Sequence, residues 1–261
     1  MVSRVLFVLI AGLLLSMTPA IAEDNNSLPP VNRLILEEVS SMPSSGGYAP
    51  SAAANHALQT AVTTSSEVLR VDASHASPSY CSSATYIVFL KTLAALQASH
   101  QLTLTPSTAT QLKPNGQPDG TGIWGRWNAN GPGTARLFYE LELGPNFTDL
   151  RMARPGDFLK IFWSDGIGAT EHGHSVIFLG TETKNGVQCV RFWSSNIPQN
   201  HTSGGYGEKS VPLTRIHRML FSRLEHPENI NRPLPRTDSY LSSLERRSST
   251  PAEMERQCGL R

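Results

Sequence analysis

The sequence predicts an α+β fold in which a cysteine-led helix packs on an antiparallel β-sheet of about five or six strands. Three observations carry this. The run "CSSATYIVFLKTLAALQASH", starting at Cys81, spaces its apolar residues at helical period, with Ile87, Val88, Leu90, Leu93 and Ala94 on one broad face. Three apolar runs follow, "DFLKIFW" (157–163), "HSVIFLG" (174–180) and "VQCVRFWSS" (187–195), each bounded by turn residues. The last two are joined by "TETKNG", whose Asn185-Gly186 pair suits a two-residue hairpin turn.

Taken in order, residues 1–22 read as a secretory signal: Arg4 in the n-region, an apolar core from Val5 to Leu15, and Ala20-Ile21-Ala22 before the cleavage point. The apolar core is too short for a stable span, so no integral membrane span is expected after cleavage, and the mature chain is expected to be secreted or periplasmic. Residues 23–55 are rich in Ser, Pro, Asn and Gly and read as a flexible extension carrying one short helix. Residues 56–224 hold the folded domain. Within it, "KPNGQPDGTGIWGRWNANGPG" reads as a long loop insertion, and "TARLFYEL" as a short helix after it. From 225 to 261 Pro, Arg and Ser dominate, the composition of a tail.

Charge narrows the partners. The formal net charge is +1, and removing Arg4 leaves 21 basic residues against 21 acidic ones. A neutral chain argues against nucleic acid or an anionic membrane as the main partner. The three cysteines cannot all pair with one another in an oxidising compartment. The expected bridge is Cys189–Cys258, tying the tail to the sheet and leaving Cys81 free.

A helix led by cysteine and a strand led by histidine have a joint chemical meaning. At a helix N-terminus the exposed N–H groups and the dipole stabilise a thiolate, and the N–H of Cys81 would face the oxyanion formed at an attacked carbonyl. His174, at the start of the second strand, suits the base that takes the thiol proton and returns it to a leaving amine. Asn196, just after "VRFWSS" on the next strand, suits the group that holds the imidazole in one tautomer. His172 is the alternative base and, with Tyr80, Trp124 and Trp127, a candidate for the substrate groove, because indole rings beside glycines can wall a site for a peptide or sugar.

These segments resemble the NlpC/P60 papain-like cysteine peptidases. "RPGDFLKIFW" is similar to that family's "RPGDLVFF" strand, "HSVIFLG" to its "HVGIYLG", and "YCSSATYIVF" stands where the family has "DCSGLVQYVF". The resemblance covers roughly residues 79–196. It implies a papain-like catalytic domain over 56–224, with Cys81 as nucleophile, His174 as base and Asn196 as third residue, cutting an amide bond in peptidoglycan stem peptides without a cofactor. Tyr80 replaces the family's Asp, Ser83 replaces its Gly, and the third residue arrives later after the histidine than is usual.

Two other classes use the same residues: a module that binds cell-wall peptide or a partner without cutting it, and a thiol acyltransferase or esterase. A metal site built on "EHGH" and Cys189 has neither H-E-x-x-H nor paired C-x-x-C behind it, so no metal is expected. Oligomeric state has no signature in the sequence.

Overall fold

The computed structural model describes residues 27–198 and 203–260, so the signal segment lies outside the described residues. In chain order the elements are α1 (Pro30–Ser40), β1 (Ser45–Gly46), α2 (Ala52–Ala61), β2 (Val62–Ser65), β3 (Val68–Val71), α3 (Cys81–Ala98), α4 (Pro106–Leu112), α5 (Gly122–Asn128) and α6 (Gly133–Leu141). The second half follows with β4 (Asn146–Phe147), β5 (Phe158–Phe162), β6 (Gly173–Lys184), β7 (Val187–Asn196), β8 (Gly205–Pro212), β9 (Arg218–Ser222), α7 (Ser239–Ser243) and α8 (Pro251–Gln257). The fold is α+β.

Seven strands form one antiparallel sheet in the order β1-β8-β7-β6-β5-β9-β4, and β2 and β3 form a separate hairpin. The expected strands are present as β5, β6 and β7, and β6 and β7 are joined at Asn185-Gly186, both with positive φ. One face of the sheet, through Phe158, Ile177, Trp193 and Tyr206, joins the core built around α3. The other carries Leu159, Ile161, Val176, Phe178, Phe192 and Phe221. β8 and β9 are the longest of the strands the sequence left unmarked; "GYGEKSVP" has too few apolar residues to announce itself.

Helix α3 is buried nearly all round from Ser82 to Leu93 rather than along one face. It runs between α1, the β2–β3 hairpin, α5 and the sheet, so it is a central rod of the core.

Three sequence expectations are corrected here. Residues 23–55 are not a flexible extension where described: Ile35 and Val39 of α1 lie in the core against α3, and β1 pairs with β8. Residues 225–261 are not a tail: Leu241, Leu244, Met254 and Cys258 are buried, and Arg136 of α6 holds Asp238 at 2.8 Å and the Gln257 carbonyl at 2.7 Å. Arg126, fully buried, bridges Glu140 (2.6 Å), the Gly120 and Gly122 carbonyls (3.0 Å each) and the Pro235 carbonyl (2.9 Å), so insertion and C-terminal segment close on each other. The third correction is that Cys189 and Cys258 do not pair. All three cysteines are free; Cys258 packs with Phe162, Leu220 and Met254, while Cys189 sits on β7 with its thiol toward the Val187 carbonyl.

The tryptophan insertion is also ordered differently from a loop. Trp124 and Trp127 fall three residues apart in α5 and so share a face, which packs on Tyr86 (ring centroids 5.0 and 5.4 Å), with Trp127 also stacked on Phe89 at 4.7 Å. The Trp127 indole N–H donates to Thr85 Oγ1 at 3.2 Å. Gly125 is required because a Cβ there would stand 2.2 Å from the Pro118 carbonyl oxygen.

Candidate active site

Cys81 is the first residue of α3. Tyr80 caps the helix with extended backbone and its N–H donates to Ser83 Oγ at 2.9 Å; the Cys81 N–H, as that of the first helical residue, has no intrahelical carbonyl to meet. The segment before the helix is stitched in place: Ser79 N–H donates to the Gly47 carbonyl at 3.1 Å, Ala49 N–H to the Ser79 carbonyl at 2.9 Å, and Ser79 Oγ to Ser195 Oγ on β7 at 2.8 Å. Cys81 is thereby held half-buried beside the ends of β6 and β7.

His174 supplies the partner. Its Nε2 lies 3.2 Å from Asn196 Oδ1; the same side chain is close enough to the Cys81 sulfur to lower the thiol's pKa, and Nδ1 is the ring nitrogen left to face it. Asn196 fixes which atom does what. Its Nδ2 donates to the Ser194 carbonyl at 3.0 Å and the Gly207 carbonyl at 2.8 Å, so both amide hydrogens are used and Oδ1 must be the atom facing the imidazole. An acceptor opposite Nε2 makes Nε2 the protonated nitrogen and Nδ1 the free base. The ring itself is wedged edge-on against Phe192 (5.6 Å) with Trp163 alongside (6.4 Å).

Burial pushes the Cys81 thiol up, but the hydrogen bond and charge of His174, the Ser175 N–H and the charge of Lys160 outweigh it and bring the thiol down to about 7. The same sulfur is felt by two phenols. Burial first, and then the Cys81 charge, raise both Tyr48 and Tyr80 above the usual tyrosine range.

An open cleft of about 580 Å³ lies over the thiol, walled by Tyr48, Asn55 and Tyr80 on one side and by Asp119, Asn128 and Asn130 on another. Tyr80 Oη donates to Asn55 Oδ1 at 2.5 Å, and Ser82 Oγ to Asn128 Oδ1 at 2.6 Å, so the rim is made of side chains that hold one another. Lys160 and Glu171 form an ion pair at 2.5 Å on the cleft wall. Asp119 has no ion-pair partner among the described residues; its Oδ2 accepts the Asn130 N–H at 3.0 Å.

Of the residues picked from sequence, Cys81, His174, Asn196 and Tyr80 come together. Trp124 and Trp127 do not line the cleft; they are 3% and 1% exposed and belong to the core. His172 is exposed, one residue before β6 begins, and stands outside the cleft lining. Tyr48, Asn55, Asp119, Asn128, Lys160 and Glu171 were missed. Lys160 carried a readable signal, a charge in the middle of an otherwise apolar strand; Tyr48 carried none, since "GGYAP" has the composition of a linker. Compared with protein-family models, with curated proteins and with solved structures, the chain matches none. Among the described residues no helix is long and apolar enough to cross a membrane.

Proposed function

We propose that this protein is an exported cysteine hydrolase with a papain-like, NlpC/P60-type domain that cleaves an amide bond in peptidoglycan stem peptides, acting in the secreted or periplasmic space. The observation that carries the reading is the amide of Asn196: with both its hydrogens engaged, it accepts from His174 Nε2 and leaves Nδ1 free to take the Cys81 proton. The thiolate attacks the scissile carbonyl carbon, and the oxyanion that forms meets the Cys81 N–H at the start of α3. The imidazolium passes its proton to the departing amine as the C–N bond breaks, leaving a thioester. Water, deprotonated by the same imidazole, then attacks the thioester, and the thiol is restored. The bond at issue and its flanking residues are a matter of what fits between Tyr80 and Asp119.

The test is incubation of mature protein, and of its Cys81→Ala form, with purified cell-wall sacculi and with soluble stem peptides, followed by mass spectrometry. New amine and carboxylate termini from the wild type alone support the reading. Equal product from both proteins would sink it. Retention of peptide without cleavage would favour a binding module, and transfer to an added amine in place of hydrolysis would favour an acyltransferase.

A further inference from the structure

We propose that Gly180 is a positioning residue, acting through a β-bulge that sets Asn196 opposite His174; the inference rests on the Cys81–His174–Asn196 reading. From the hairpin tip inward, Lys184 pairs with Val187 and the register runs without interruption to Gly180 with Arg191. Phe178, however, pairs with Phe192 and Ile177 with Trp193, so Leu179 is one residue too many on β6. Continuing the inner register three residues brings His174 across from Asn196, as their 3.2 Å contact requires. Continuing the outer register would set His174 across from Ile197 and Asn196 across from Ser175. A slip of one residue also turns every side chain to the other face of the sheet, so Asn196 would then lie on the wrong side of the imidazole.

Two constraints meet in this hairpin. The tight turn at Asn185-Gly186 sets the outer half, and the pairing of His174 with Ile161 on β5 sets the inner half. The bulge reconciles them. Gly180 has φ +122, a backbone region L side chains rarely adopt, yet a Cβ built there meets nothing within 4 Å. Glycine is needed for its conformation and not for space. Leu179 holds the bulge on its other side, along a groove shared with Leu36, Val39 and Trp193.

The experiment follows iodoacetamide alkylation of Cys81 against pH in the mature chain, resolved on its own peptide by mass spectrometry, in wild type, Gly180→Ala, Gly186→Ala and His174→Ala. Gly186, at the hairpin tip, also has positive φ (+76) and open space at its Cβ, so it carries comparable strain with no role in the inner register. Gly180→Ala is expected to move the alkylation midpoint up toward the free-thiol value of about 8.5. It should also lower turnover on the order of 10²-fold, the scale of an ångström-level misplacement. Gly186→Ala should move neither. A wild-type profile in Gly180→Ala, or an equal shift in both glycine variants, overturns the inference while leaving the catalytic reading intact. A midpoint indifferent to His174→Ala removes the thiol–imidazole pair itself and the parent reading with it.

Discussion

Asn196 is the residue on which the site's chemistry turns, because an amide that donates twice to backbone carbonyls has only one way to face an imidazole. Asn196→Ala removes the acceptor and frees His174 to rotate or to change tautomer. The expected outcome is a fall in kcat on the order of 10²-fold, little change in KM, and a Cys81 midpoint displaced upward from about 7. For a thiol lowered below its ordinary value the reactive thiolate is present above the lowered midpoint and lost as pH falls through it, so alkylation of the wild type should rise through pH about 7. Steady-state kinetics and the alkylation profile together check this; an unchanged profile in Asn196→Ala would mean the asparagine only packs. Cys81, His174 and Asn196 were legible because each sits at an element boundary the sequence marks, a helix start or a strand end. Trp124 and Trp127 were misread because glycines around them suggested an open loop, when Gly125 serves to let α5 approach Pro118.

At the scale of elements, α3 and the β5–β6–β7 meander were readable from apolar runs and from Asn185-Gly186, while the bulge was not, since one extra residue leaves the apolar pattern of β6 unbroken. Gly180 inside the strand was its only trace. Helix α5 shows how a small element can carry a large share of the core: Trp127 touches Tyr86, Phe89, Phe138 and Phe158 with centroids between 4.7 and 6.3 Å. Trp127→Ala is expected to destabilise the fold by about 3–5 kcal/mol, the usual cost of emptying an aromatic core site. Urea denaturation should show a lower midpoint at unchanged slope. If the indole instead walled a substrate groove, stability would hold and KM would rise.

For the molecule as a whole, composition misled at both ends, since a few well-spaced apolar residues outweigh many Pro, Ser and Arg. Ile35 and Val39 anchor the N-terminal side, and Leu241, Leu244, Met254 and Cys258 the C-terminal side. Burying a large apolar side chain contributes roughly 1.5–3 kcal/mol, so losing Leu241, Leu244 and Met254 together reaches into the range of a typical domain's whole stability, about 5–15 kcal/mol. Deleting residues 237–261 should therefore yield a chain without a cooperative thermal transition, measurable by circular dichroism; a truncated protein that melts like the full chain would show the segment to be dispensable. The same view of the whole draws attention to the rims of the sheet. β1 and β4, its outermost strands, are two residues long each, paired to β8 and β9. They cover only Gly205 and Tyr206 of β8 and Phe221 and Ser222 of β9, so among the described residues β8 from Gly207 to Pro212 has a strand on its β7 side alone. That open stretch carries Glu208, Lys209 and Pro212, the charges and proline by which a sheet edge opposes pairing with a second chain.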